Sequence, residues 1–151
     1  MVACTALTPE SFAPFGQLLA AEPHEALIEV RDGEDWVMNV LSYDRKPLVC
    51  DHLNAHHKAT QALVPLGSAT ALLIVAPAGT TFSSPADLDS IRAFVLDGTA
   101  AVNLAFGTWH WGPYPVGDHV DLLNLQGRGF ADDNEIADLV GLLDTVVVAQ
   151  L

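Results

Sequence analysis

The chain has 151 residues, half of them hydrophobic, with two cysteines and a formal net charge of −13 set by 19 acidic and only six basic side chains. That length and apolar share fit a single domain, residues 1–151, whose core needs neither a metal nor a disulfide for stability. So acidic a balance argues against a nucleic-acid partner, since affinity for a phosphate backbone comes from clustered cations that displace counterions.

Further bounds come from local composition. The longest apolar run, around Ala69 to Ala78, is too short to cross a bilayer, and the N-terminus has no basic stretch leading into an apolar one. Cys4 and Cys50 form no CxxC or zinc-ribbon spacing. A cytoplasmic protein with free thiols and no membrane partner is expected.

Taken in chain order, Thr8-Pro9-Glu10 supplies a helix N-cap, a proline at the first helical position and an early acid, and Gly16 supplies a stop. A short N-terminal helix is expected there. Seven short runs rich in β-branched or apolar residues follow: Ala26–Val30, Trp36–Tyr43, Ala62–Leu66, Thr70–Ala76, Ile91–Leu96, Ala100–Phe106 and Val120–Leu125. Gly, Pro, Asp or Ser separates them, which predicts an all-β sandwich or barrel. The Asp-Gly pairs at Asp32-Gly33 and Asp97-Gly98 are of the kind that close hairpins. From Asp132 or Asp133 the spacing of Ile136, Leu139, Val140 and Leu143 predicts a C-terminal helix behind an acidic cap, and Thr145–Val148 a last extended piece. No repeat, low-complexity tract or linker divides the chain.

The run from Gly98 to Phe106 leads through a glycine turn at Gly107 to His110, and Gly-x-x-His at Gly107–His110 resembles the second of the two cupin motifs. A weakened first motif is legible upstream, where His56-His57-Lys58-Ala59-Thr60-Gln61 is followed by Pro65 and Gly67. Together with Ile91-Arg92-Ala93-Phe94 and Val102-Asn103, in this order and spacing, the chain resembles the ureidoglycolate lyase family from His56 to Arg128, and more faintly through Thr8–Gly16. The resemblance implies a small antiparallel cupin-like β-barrel, a jelly roll, with short N- and C-terminal helices. It implies a homodimer and a lyase that cleaves (S)-ureidoglycolate to glyoxylate and urea in allantoin and purine nitrogen catabolism. Four departures mark a divergent member. Gln61 stands where metal-binding cupins have Glu, and His56 and His57 are adjacent rather than one residue apart. Trp111 replaces a second His, and the segment before the first motif is short.

His56, His57, Gln61 and His110 are the leading catalytic candidates. Side chains on one strand face alternate, so a barrel mouth can gather them from separate hairpins. His56, Gln61 and His110 would also form a weak site for a divalent metal, Ni, Mn or Zn, because a neutral Gln adds an oxygen but no charge. The plainer alternative has His110 hydrogen-bonded in a polar barrel interior and Gln61 satisfying a strand end. If His56 and His57 are consecutive in a strand, only one faces inward; alignment with the family's His favours His56. The substrate is a carbinolamide carrying a carboxylate, so its cleavage needs a base, for which His110 is the candidate, and an acid, His56 or His57.

Arg92 or Lys58 could hold the carboxylate, although pairing of Arg92 with Asp97, Asp121 or another carboxylate is the preferred reading of a cation inside an apolar strand. Asn103 invites the same split between substrate binding and structure. Trp109, Trp111 and Tyr114 could wall a pocket or sit in a dimer contact. Trp36 is expected in the core, and His24, His52 and His119 on the surface or at the rim. There is no P-loop, Gly-x-Gly-x-x-Gly, Gly-x-Ser-x-Gly or HExxH pattern, so no nucleotide cofactor is expected. Two other readings stay open: a cupin enzyme for another small hydroxy or keto acid, and a non-catalytic small-ligand-binding cupin with its barrel packed shut.

Overall fold

The computed structural model describes Met1–Leu151. Helix α1 (Pro9–Phe12) forms where the sequence places it, because Thr8 and Ser11 cap each other reciprocally: the Ser11 amide donates to Thr8 Oγ1 at 3.1 Å and the Thr8 amide to Ser11 Oγ at 2.9 Å. It buries Phe12 against Phe94, ring centroids 5.2 Å apart and edge-on. Gly16 does more than stop the helix. With φ of +153° it opens a strand so close to its neighbour that a Cβ there would lie 2.0 Å from the Asn103 carbonyl oxygen.

The strands are β1 (Val2–Thr5), β2 (Gly16–Leu19), β3 (Trp36–Asp44), β4 (Val49–Cys50), β5 (His52–Ala55), β6 (Gln61–Pro65) and β7 (Ala71–Ala76). After a 3-10 turn at Pro85–Ser90 come β8 (Arg92–Leu96), β9 (Ala101–Leu104), β10 (Trp109–Pro115), β11 (His119–Gly127), β12 (Glu135–Asp138), helix α2 (Leu139–Leu143) and β13 (Val147–Gln150). They build an eight-stranded sheet, β12-β5-β10-β7-β8-β1-β13-β4, and a five-stranded sheet, β2-β9-β6-β11-β3. The expected all-β architecture with short helices is present, as two facing sheets. It is antiparallel apart from β1, which runs parallel to both β8 and β13.

The alternation of side chains divides the core. Leu73, Val75, Phe94 and Leu96 of the large sheet meet Leu63, Val102 and Leu104 of the small one inside the barrel, beneath Phe12 and Phe15. The opposite parity of the large sheet packs outward: Leu72, Ile74, Trp109 and Tyr114 lie under α2, β13 and Phe82. Each fully buried Leu, Ile or Phe contributes roughly 1.5–3 kcal/mol of transfer free energy. Both faces of β7 are therefore stabilising, and all six of its residues are buried.

Four local expectations are corrected. Residues 26–30 form only an isolated bridge at Val30, because side chains take up their backbone groups: the Leu27 amide donates to Gln17 Oε1, the Glu29 amide to Thr60 Oγ1, and Asn103 Nδ2 to the Leu27 carbonyl. Both Asp-Gly turns form, with Gly33 and Gly98 at positive φ, but neither closes a hairpin. Asp97-Gly98 carries the chain from β8 in one sheet to β9 in the other. The predicted C-terminal helix starts late, since Glu135–Asp138 instead pairs antiparallel with β5 and buries Ala137. Ladder hydrogen bonds outweigh the helical spacing until Asp138 caps α2 by accepting from the Gly141 amide at 3.0 Å. Trp36 begins edge strand β3 half-buried and lies outside the core. Cys4 and Cys50 are free thiols, and no helix is long and apolar enough to cross a membrane.

Candidate active site

Where the apolar barrel interior ends, a cavity of about 390 Å³ opens between the sheets. His110 reaches it from β10, in register with Val75 on one side and Asn54 on the other, so it shares their inward face. Gln61 enters from the start of β6, and His56 from the bend just beyond β5. The two motifs are tied together through the main chain: the Gly107 amide, in a turn at φ +73°, donates to the His56 carbonyl at 2.7 Å. The barrel is not packed shut.

The imidazoles of His56 and His110 face each other with ring centroids 5.3 Å apart. His110 Nδ1 lies 3.0 Å from the Thr108 carbonyl oxygen and His56 Nδ1 bonds the Asp133 carbonyl oxygen. A carbonyl can only accept, so both Nδ1 atoms carry hydrogens, and the neutral tautomer of each ring has its lone pair on Nε2. Burial holds the His110 pKa down at about 4, with the His56 charge adding to the depression, although the Thr108 bond opposes it. His110 is therefore neutral near pH 7, and His56 beside it is only half-buried.

Carboxamides dominate the rest of the polar lining. Gln61 Nε2 donates to Asn124 Oδ1 at 2.9 Å and, at 3.5 Å, to Gln126 Oε1; Asn124 Nδ2 donates to Asn39 Oδ1 at 2.8 Å. Gln61 Oε1 is buried with no partner. Leaving such an acceptor unmade costs about 1–3 kcal/mol, so this oxygen has hydrogen-bonding capacity that no side chain of the site takes up. Apolar contact comes from Leu41, Leu63, Phe130 and Trp111. Trp111 also stacks on His52 at 3.9 Å between centroids and lies 5.3 Å from the Lys46 ammonium.

Of the residues singled out in the sequence, the fold gathers His56, Gln61 and His110 and separates the others. His56 and His57 lie in a bend rather than a strand, yet His56 does turn inward, while His57 is exposed and bonds Glu135 at 2.7 Å outside the cavity. Lys58 is exposed on the same bend. Arg92 is exposed too, donating to the Asp89 and Ile91 carbonyls at 2.7 and 2.8 Å, so it neither pairs with Asp97 or Asp121 nor reaches the cavity. Asn103 faces the outer side of its sheet, under residues 25–30, with Oδ1 unpaired. Trp109 and Tyr114 have the outward parity of β10; the Trp109 indole donates to the Thr80 carbonyl and the Tyr114 hydroxyl to the Val49 carbonyl. No Arg or Lys lines the cavity.

Sequence reasoning missed Asn39, Asn54, Asn124, Gln126 and Asp133. Asn124 and Gln126 had a legible signal, being polar at alternate positions of an otherwise apolar strand, which marks a polar inner face. Asp133 did not: it reads as a helix cap, but its carboxylate accepts from the His57 and Lys58 amides while its carbonyl fixes His56.

A divalent ion finds a partial fit. Nowhere does the chain gather three His, Cys, Asp or Glu side chains for a metal. His56 and His110 have Nε2 lone pairs free with each Nδ1 anchored to a carbonyl, as ligating histidines are, and the unpaired Gln61 oxygen would be the neutral third donor. Without an anionic ligand, such a set holds an ion weakly.

Residues 28–140 match the family model for ureidoglycolate lyase. The chain is 30% identical over 167 residues to a ureidoglycolate lyase of Burkholderia mallei (strain NCTC 10229), covering 95% of this chain and 94% of the relative. It is 30% identical over 148 residues to a ureidoglycolate lyase of Chelativorans sp. (strain BNC1), covering 85% and 86%. Among solved structures, RmlC from Streptococcus suis in complex with dTDP-D-xylose aligns with a TM-score of 0.47 and 13% identity, over 61% of this chain and 43% of that one.

Proposed function

This chain belongs to the ureidoglycolate lyase family, and from that membership we propose that it cleaves (S)-ureidoglycolate to glyoxylate and urea, in the cytoplasm, as a step of allantoin and purine nitrogen catabolism. The observation that carries the site is the facing pair His56 and His110, held in defined tautomers beside an unpaired Gln61 oxygen.

The reaction moves one proton. The hydroxyl O–H bond breaks, its electrons form the aldehyde carbonyl, the carbon–nitrogen bond breaks, and the departing urea nitrogen takes a proton. His110 Nε2, neutral and buried, accepts the hydroxyl proton; enclosing an anionic substrate beside it raises its basicity from the low value of the empty site. His56, nearer to water, serves as the acid from its Nε2 while Nδ1 stays on the Asp133 carbonyl. Two like groups with different surroundings divide the acid and base roles in this way. With no Arg or Lys at the cavity, the substrate carboxylate is met by protonated His56 and by amide N–H groups.

As the alternative use of the two free Nε2 atoms, in place of the acid–base roles, His56 and His110 with Gln61 would hold a weakly bound Ni, Mn or Zn ion. When bound, it would supply Lewis-acid polarisation of the hydroxyl. We also propose a homodimer, supported by Met38 and Val40, 67% and 54% exposed on the outer face of edge strand β3.

The deciding experiment is glyoxylate release from (S)-ureidoglycolate, measured with and without added Ni, Mn or Zn. No release under any of these conditions would refute the reading.

A further inference from the structure

We propose that Asn124, backed by Asn39, is a positioning residue that locks the Gln61 carboxamide by its nitrogen and leaves its carbonyl oxygen as the unpaired end, so that the pocket Gln61 lines selects ligands by a ureido N–H. This rests on the ureidoglycolate reading and adds how the site would tell a ureido compound from a simple hydroxy acid.

A primary carboxamide offers an acceptor at one end and donors at the other, and the two are nearly equal in shape. Which end meets a ligand is decided by what holds the other. Here Gln61 Nε2 is held by two oxygens, Asn124 Oδ1 at 2.9 Å and Gln126 Oε1 at 3.5 Å. Asn124 is fully buried, and with its oxygen occupied its nitrogen needs an acceptor, which Asn39 Oδ1 provides at 2.8 Å. Every donor in the relay points the same way, from Gln61 to Asn124 to Asn39. Reversing Gln61 alone would set its oxygen against two other oxygens, so the neighbouring amides would have to turn with it.

The consequence is an unpaired, buried Oε1 on Gln61, a residue that lines the cavity. A ureido group carries N–H donors that fit this acceptor. A hydroxy acid without the ureido group leaves it unpaired, and sites built around a buried hydrogen-bonding group reject analogues that lack the partner.

The test uses two probes in chelator-containing buffer, so that no ion occupies Gln61 Oε1. N-carbamoylglycine has the ureido and carboxylate groups but no hydroxyl to deprotonate; glycolate has hydroxyl and carboxylate but no ureido group. Asn124→Leu is expected to weaken N-carbamoylglycine binding by about tenfold and to leave glycolate within about twofold. Should that variant fail to fold, Asn39→Leu on the half-exposed β3 frees the relay to reverse and should give the same selective loss, about threefold. Equal losses for both probes, or none for either, overturn the positioning role while wild-type turnover leaves the lyase reading intact. A wild-type protein that neither binds N-carbamoylglycine nor releases glyoxylate overturns both.

Discussion

His56 and His110 stand 5.3 Å apart between ring centroids because β5 and β10 pair antiparallel at Asn54 and His110, which brings the end of β5 beside the start of β10. His110→Ala should therefore lower turnover by roughly a hundredfold or more, the range of a general base. Gln61→Ala should weaken both binding and turnover. The double variant should be little worse than His110→Ala, since groups acting on one substrate are not additive. Steady-state kinetics with circular dichroism as the folding check decides this, and near-normal glyoxylate release by a folded His110→Ala protein would remove the pair from the mechanism.

The buried His110 also predicts an acid limit to stability. Its folded pKa of about 4 lies below the ordinary 6.5, so between those values the unfolded chain binds a proton that the folded one does not. Stability should rise with pH across that window and fall as pH drops toward 4. Denaturant titrations from pH 4 to 7 should show a shallower slope for a folded His110→Ala variant; an unchanged slope contradicts the assignment.

His119 is displaced the opposite way. Hydrogen bonds first to Asp44 and then to Asp121, at 2.7 and 3.0 Å, raise its pKa, and the Ser42 hydroxyl bond to Asp121 lowers the pKa of that carboxyl. Any stability the clamp gives is present below the ordinary His value and lost as pH rises through the raised one. An NMR titration of the His119 ring should have its midpoint above 6.5 and move down in Asp44→Asn. A midpoint that ignores the substitution would contradict the clamp.

Metal affinity should be limited by the neutral ligand set. Exhaustive chelation should strip the protein; if the two Nε2 atoms serve as metal ligands instead of as base and acid, activity falls with it and a divalent ion restores it. Gln61→Glu should tighten Ni or Zn binding in calorimetry, because it adds the missing anionic ligand. Full turnover by protein shown to be metal-free would leave His56 and His110 as a purely acid–base pair.

Light scattering should give twice the 16.1 kDa chain mass at micromolar concentration. Placing charges on the exposed apolar face of β3, as in Met38→Glu with Val40→Lys, should shift the protein toward monomer. A monomeric wild type would exclude the dimer.

What the sequence determined by itself was whatever short-range chemistry controls. Thr8 and Pro9 specified α1 because a cap and a fixed φ act within one turn, and the apolar runs at 36–43 and 120–125 became β3 and β11. The motif residues His56, Gln61 and His110 were legible as types at characteristic spacings, and they do meet. Tertiary structure decided which face each side chain turns inward. Asn103, Trp109 and Tyr114 all belong to strands, but one step of parity puts each on the outer side, and nothing local records which side will be covered. Arg92 has the inward parity of Phe94, opposite Val75, but as the first residue of β8 it is exposed and bonds the nearby Asp89 and Ile91 carbonyls. The same holds for Glu135–Asp138, whose helical spacing yields to the unpaired edge of β5, and for Asp133, which grips a bend distant in sequence. The carboxamide relay of Gln61, Asn124 and Asn39 spans three strands, so only their pairing into one sheet could set its direction.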